Sequence, residues 1–219
     1  MQKIRRLRSA LLVIALSMAA VGGLSAPAAT AAVVVTPGMA IETTHFRCSV
    51  GMVAHIGNGN YAITAAHCFE AGARVRDHSG NEIGWYSNQL GNDSTQSQVG
   101  YALIRLWDNV GVSASLGRFG IRTIDTNPIK GEGLCKIGST TGWTCGTITD
   151  VSDKVFWTTL TAADGDSGSV VYHQNADGSA AFMGILLGRT FGGTEEIESA
   201  NYLNTAIKQH ESSLLWWIS

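Results

Sequence analysis

Proline is scarce in this chain. Three prolines stand against 26 glycines in 219 residues, so its turns depend on glycine, which enters positive φ at little steric cost. Charge is scarce as well. Asp, Glu, Lys and Arg make up 15% of the chain, which suits a turn-rich strand protein better than a helical bundle. No basic arm is present and the formal charge is −2, which excludes a general attraction for nucleic acid. No CxxC or HxxxH spacing occurs, so no metal site is expected, and nothing calls for a cofactor. No internal repeat or low-complexity tract follows residue 31.

What is present begins with an export signal. Lys3, Arg5, Arg6 and Arg8 form a basic start, and the apolar run 11–21 is too short to span a bilayer. Ala29-Thr30-Ala31 offers a small-residue cleavage site, so residues 1–31 read as a signal peptide and not as an anchor. Its removal takes away four positive charges and no negative one, and the formal charge goes from −2 to −6. The remaining 188 or so residues suffice for one compact unit or two small barrels. The expected protein is secreted and monomeric, without stable membrane association. In that setting Cys48, Cys68, Cys135 and Cys145 are expected to form disulfides, and arithmetic alone leaves three pairings open.

Strand patterns dominate. From Cys48 to Ile56 apolar residues alternate with period two. Asn58-Gly59 then predicts a hairpin turn, and 61–64 the returning strand. Apolar runs at 101–106, 169–172 and 181–187 predict further strands. Residues 201–213 predict the one helix, with Leu203, Ala206, Ile207 and His210 on one face. The trailing Leu214-Leu215-Trp216-Trp217 reads as packing.

Two short segments carry the chemistry. Thr64-Ala65-Ala66-His67-Cys68 places a histidine against a cysteine, and Gly165-Asp166-Ser167-Gly168-Ser169 places a serine on a glycine-flanked turn. A serine hydroxyl is a poor nucleophile until a base takes its proton, and glycines let backbone N–H groups converge on a developing oxyanion. Ser167 is the candidate nucleophile and His67 the candidate base. His45, His55, His78, His173 and His210 lack comparable context.

These segments, in this order, resemble the chymotrypsin-like serine proteases, the standard template of the Ser-His-Asp triad. The loop from Cys135 to Cys145 and on to Ile148 narrows the resemblance to the bacterial branch, the streptogrisins and α-lytic protease. It covers the chain from about residue 37 onward and leaves no room within it for a folding pro-region. It implies an all-β protein of two six-stranded antiparallel β-barrels with a C-terminal helix. Residues 32–113 would form the barrel carrying His67, and 114–219 the barrel carrying Ser167. The implied disulfides are Cys48–Cys68 and Cys135–Cys145. The implied oxyanion hole is the N–H groups of Gly165 and Ser167. Asp166 would be structural, buried against a positive partner.

The sequence also departs from that pattern. The family's triad aspartate precedes an apolar strand such as 101–106, where this chain has Gly100. Either Asp93 in Gly91-Asn92-Asp93 is a displaced third member, with 94–100 inserted, or the aspartate is lost. In the second case Gly100→Asp is expected to restore part of the activity. Leu187 stands where the family has a serine supporting the aspartate, and Ser169 replaces a glycine that should tolerate it. Thr161 removes the aspartate that would select Lys or Arg, and Arg189 falls at the pocket rim, narrowing it, attracting an acidic side chain or turning to solvent. Two functions stay open. One is a secreted serine endopeptidase that hydrolyses polypeptides through a Ser167 acyl-enzyme, with His67 as general base. The other is a weak or inactive pseudo-protease acting as a binding module.

Overall fold

The computed structural model describes residues 32–93 and 97–219, without the side chains of 92–98. The expected signal peptide and the side chain of Asp93 lie outside the described residues. The strands are β1 (Val34–Val35), β2 (Ala40–Glu42), β3 (Arg47–Ser49), β4 (Met52–Ile56), β5 (Gly59–Ala65), β6 (Arg74–Arg76), β7 (Glu82–Asp93), β8 (Ser97–Leu106) and β9 (Gly111–Val112). They continue as β10 (Ile121–Ile124), β11 (Gly133–Gly138), β12 (Gly142–Val151), β13 (Val155–Thr158), β14 (Val170–Gln174), β15 (Ala180–Arg189) and β16 (Glu195–Ser199). Among the described residues there is one α-helix, α1 (Ala200–His210), followed by a last strand β17 (Leu215–Trp216).

The sheets give the chymotrypsin architecture. One runs β17-β4-β5-β8-β7-β6-β2-β3 and stays open, as a half-barrel. The other runs β10-β15-β14-β11-β12-β13-β16 and closes into a six-stranded barrel because β16 returns to β15. Closure satisfies the edge hydrogen bonds that an open sheet leaves exposed. One apolar core joins the two sheets: Met52, Ile63, Tyr101 and Leu103 meet Val170, Tyr172, Phe182 and Ile185. Leu203, Ala206 and Ile207 of α1 pack into the same core. Ser199 caps the helix by accepting from Tyr202 N–H at 3.2 Å. His210, expected on that apolar face, is exposed because the helix ends there.

The alternation at 48–56 is not one strand. It breaks at Val50-Gly51, between β3 and β4, and there the Ser167 turn packs against it. A Cβ on Gly51 would lie 2.7 Å from the Gly168 carbonyl oxygen. The next hairpin turns through Gly57-Asn58, with Gly57 at φ 59°, and Gly59 already belongs to β5. Thus the turn sits one residue earlier than the Asn58-Gly59 signal. Both implied disulfides are present, Cys48–Cys68 and Cys135–Cys145.

Cys48–Cys68 spans 20 residues and restricts the unfolded chain. Replacing both cysteines by alanine is expected to lower the unfolding free energy by about 2–4 kcal/mol. Urea denaturation checks this, and a loss below about 0.5 kcal/mol would contradict it.

Candidate active site

His67 sits in a single 3-10 turn, Ala66–Cys68, at the end of β5. Ala65 pairs with Tyr101, so the turn lies beside the start of β8. Cys68 ties it to Cys48 on β3, and the neighbouring Ser49 N–H donates to the Ser167 carbonyl at 2.8 Å. Gly168 closes the approach from the other side. A Cβ there would collide with Thr64 Oγ1 and lie 3.0 Å from Ala65 N, so only glycine lets the serine turn reach this strand. Burial holds the His67 imidazole below its ordinary pKa of 6.5, which keeps it neutral and able to accept a proton. A His67 ring nitrogen and the Sγ atoms of Cys48 and Cys68 lie within 4.8 Å of one another, but the disulfide consumes both thiols.

The serine turn is shaped by what holds its carbonyls. Thr140 Oγ1 donates to the Asp164 carbonyl at 2.7 Å. The Asp166 carbonyl accepts from Ser169 N–H at 2.9 Å and from the Ser169 hydroxyl. A peptide's N–H points opposite its C=O, so these bonds turn the N–H groups of Gly165 and Ser167 away, and among the described residues neither donates to a protein group. Ser169 is therefore more than tolerated, because its hydroxyl orients one of these two peptides. Ser49 Oγ and Ser139 Oγ both donate to the Gly165 carbonyl, at 2.9 and 2.7 Å.

Asp166 is fully buried and its positive partner is Lys136, also fully buried, at 3.3 Å. Burial pushes the Asp166 pKa up, but donation from the Thr141 hydroxyl and from the N–H groups of Thr140, Ala163 and Thr141 outweighs it and leaves the pKa below its ordinary 3.8. Lys136 also donates to Thr141 Oγ1 and the Gly142 carbonyl, at 2.6 and 3.1 Å. The sequence held no sign of this role, since Lys136 follows Cys135 on an alternating strand like any surface lysine.

At the third-member position the backbone is pinched. Gly100 (φ 139°) pairs with Gly91 (φ 85°) on β7. A Cβ on Gly100 would strike the Leu90 carbonyl oxygen and lie 2.8 Å from Gly91 Cα. Gly100→Asp therefore does not fit, and the expectation that it restores activity is corrected: its side chain would enter β7. The ladder runs on past this pinch to Asp93↔Ser97, which puts the Asp93 backbone farther along the hairpin. Leu187 fills apolar space with Ala65, Cys68 and Tyr86. The Gly100 N–H donates instead to Oε2 of Glu198 on β16, at 2.9 Å. Glu198 is fully buried, and burial together with the nearby Glu196 pushes its pKa up to about 8, against relief from Gly100 and Lys154. Among the described residues Glu198 Oε1, His67 Nδ1 and Tyr101 Oη are buried without a hydrogen-bond partner. Neither Glu195 nor Glu198 stood out in the sequence, because Glu195-Glu196-Ile197-Glu198 reads as a solvated edge.

Ser167 lines a cavity of about 400 Å³ together with Ala162, Ala163, Asp164, Leu186, Gly188, Arg189 and Glu195. The Arg189 side chain is 57% exposed yet anchored at both ends of its guanidinium. Its Nε donates to the buried Glu195 at 2.8 Å and its Nη2 to the Ala162 carbonyl at 3.3 Å, so it bridges the rim. Thr161 offers the pocket no charge, and its carbonyl accepts from Thr144 Oγ1 at 2.7 Å. Four of the other histidines have ordinary partners: Glu70 for His45, Asn60 for His55, Glu42 for His78 and the Gly133 carbonyl for His173.

Lys136→Met removes one member of a buried pair and is expected to cost about 3–5 kcal/mol of stability. Urea denaturation measures it, and a cost below about 1 kcal/mol would mean that the hydrogen bonds to Asp166 suffice without the ammonium.

No family model matches the chain. The Mycobacterium tuberculosis protein Rv1815, described as uncharacterized, is 31% identical over 185 residues, covering 78% of this chain and 80% of its own. Among solved structures, Cellulomonas bogoriensis chymotrypsin is 27% identical with a TM-score of 0.64, over 85% of this chain and 100% of the other. Thermobifida fusca protease A superposes with a TM-score of 0.69 at 22% identity, over 85% and 100%. The chain belongs to the family of Rv1815 and has the fold of the bacterial chymotrypsin-like serine proteases, to which it is similar.

Proposed function

We propose that this chain is a secreted serine endopeptidase acting on polypeptides. The observation that carries the reading is the pair of unclaimed N–H groups, Gly165 and Ser167, flanking a serine that lines a pocket. In this reading Ser167 Oγ attacks the scissile carbonyl and its proton passes to His67 Nε2. The carbonyl oxygen becomes an oxyanion that accepts from the two N–H groups, and losing one such donor typically costs about 3–4 kcal/mol of transition-state stabilisation. His67 then protonates the leaving amine, and water repeats the sequence on the acyl-enzyme. The Arg189–Glu195 bridge pairs two of the pocket's three charged residues and leaves the Asp164 carboxylate.

Export rests on the basic and apolar N-terminus and agrees with two disulfides. Among the described residues no helix is long and apolar enough to cross a membrane. One observation favours the pseudo-protease reading, the buried His67 Nδ1 that lacks an acceptor.

A fluorophosphonate probe decides between the two. Mature protein is expected to label at Ser167, with labelling abolished in Ser167→Ala and in His67→Ala. Failure of the wild type to label would support the binding module, and undiminished labelling in Ser167→Ala would remove Ser167 from the reaction.

A further inference from the structure

We propose that Glu198, entering from β16 of the other barrel, is the carboxylate that holds His67 in place of the absent aspartate. The inference rests on the serine-protease reading above and names a positioning residue for it.

Four observations converge. The Gly100 N–H, at the third-member position, donates to Glu198 Oε2 at 2.9 Å, so the carboxyl group has already crossed between the sheets to this point. Its other oxygen, Oε1, is buried and unpartnered. His67 Nδ1 is buried and unpartnered in the turn that lies beside the start of β8. Finally, Gly100 places no side chain between them, since a Cβ there would point into β7. The two groups do not bond to each other in this structure, but a buried acceptor without a donor and a buried donor without an acceptor each cost free energy, and a side-chain rotation that pairs them relieves both.

The charges around Glu198 set when it works. Glu196 on its own strand raises its pKa, and Lys154 from the β12–β13 connection lowers it. Tyr101 on β8 stays neutral, with a pKa pushed to about 12 by burial and by Glu211, Glu198 and Tyr202. His67 is neutral because it is buried. In the reaction the Nδ1–H stays on His67 and donates to the Glu198 carboxylate, while Nε2 takes the Ser167 proton. The imidazolium then forms beside an ionised Glu198, and the Nε2 proton leaves with the amine. A protonated Glu198 cannot accept from Nδ1–H at the oxygen that carries its proton, and it gives the imidazolium no counter-charge. Its deprotonation at about pH 8 is therefore the step that switches the base on, and the rate should climb through that pH.

Glu198→Gln is nearly isosteric and can still accept from Gly100. Second-order fluorophosphonate labelling and near-UV circular dichroism are measured from pH 5 to 10, for wild type, Glu198→Gln and Asp93→Ala. The proposal expects Glu198→Gln to label about 10²-fold more slowly or worse at pH 9, in the direction of the roughly 10⁴-fold loss when a triad aspartate becomes asparagine. The limb near pH 8 should vanish with it. Relative to wild type, the same variant should become more stable as pH rises. The folded pKa of about 8 lies above the ordinary 4.5, so the stability from a protonated Glu198 is full below 4.5 and lost as pH rises through about 8. Glutamine keeps it throughout. Lost reactivity with gained stability is not what a purely structural glutamate gives. Labelling within threefold of wild type with the same profile would overturn the proposal, as would a limb abolished by Asp93→Ala. If wild type never labels, the protease reading fails separately, and ¹⁵N NMR of His67 decides the pairing. A step in the Nδ1 shift near pH 8, absent in Glu198→Gln, supports it, and no such step in wild type overturns it even where the variant does not fold.

Discussion

The site depends first on one buried carboxylate. Asp166 is fully buried, and it accepts from the Thr141 hydroxyl and from the N–H groups of Thr140, Thr141 and Ala163 while Lys136 lies 3.3 Å away. Such a group is costly to bury alone and strongly directional once satisfied. Its donors come from two separate stretches, the disulfide loop between β11 and β12 and the approach to Ser167. Pulling both onto one acid fixes the turn before Ser167 makes any contact of its own. The carbonyl tethers of Thr140 and Ser169 can then select which way the neighbouring peptides face.

The second constraint is the seam between the sheets. Gly51, Gly168 and the Ser49–Ser167 bond let the serine turn approach β3, β4 and β5 at backbone distance. The Cys48–Cys68 bridge fixes the His67 turn to the same edge. His67 and Ser167 are thus positioned through shared backbone, not through long side chains, and rotamer freedom adds little uncertainty to their geometry.

The local part of this was legible in the sequence. The segments around His67 and Ser167, the four cysteines and the strand-rich character are short-range signals, and the resemblance assembled them into the right architecture. The half-open first sheet was not legible, because closure is a property of long-range pairing. Nor were Lys136, Glu195 and Glu198. Each sits on a strand where a charged residue ordinarily marks the solvent face, and its burial follows from a partner supplied by distant chain. The break at Gly51 was hidden for a related reason: period two continues through it while the backbone changes sheet neighbours.

The glycine pair Gly91 and Gly100 shows why a missing residue cannot be understood from its position alone. On a flat ladder, replacing an aspartate by glycine would leave a hole that the reverse substitution refills. Here both strands take positive φ and their backbones close on each other, so the volume a side chain would need belongs to β7. Leu187 packs in the apolar cluster with Ala65 and Cys68, and Glu198, buried on the other barrel's β16, brings a carboxyl group to the Gly100 N–H. An apolar wall raises the cost of ionising that acid, and the Gly100 bond returns only part of it. The local environment therefore favours a neutral site at low pH and a charged one only where alkaline pH removes the proton. An aspartate accepting several hydrogen bonds would be ionised across the whole range. In the proposed reading the glycine on one strand and the buried acid from another act together, and pH governs the result.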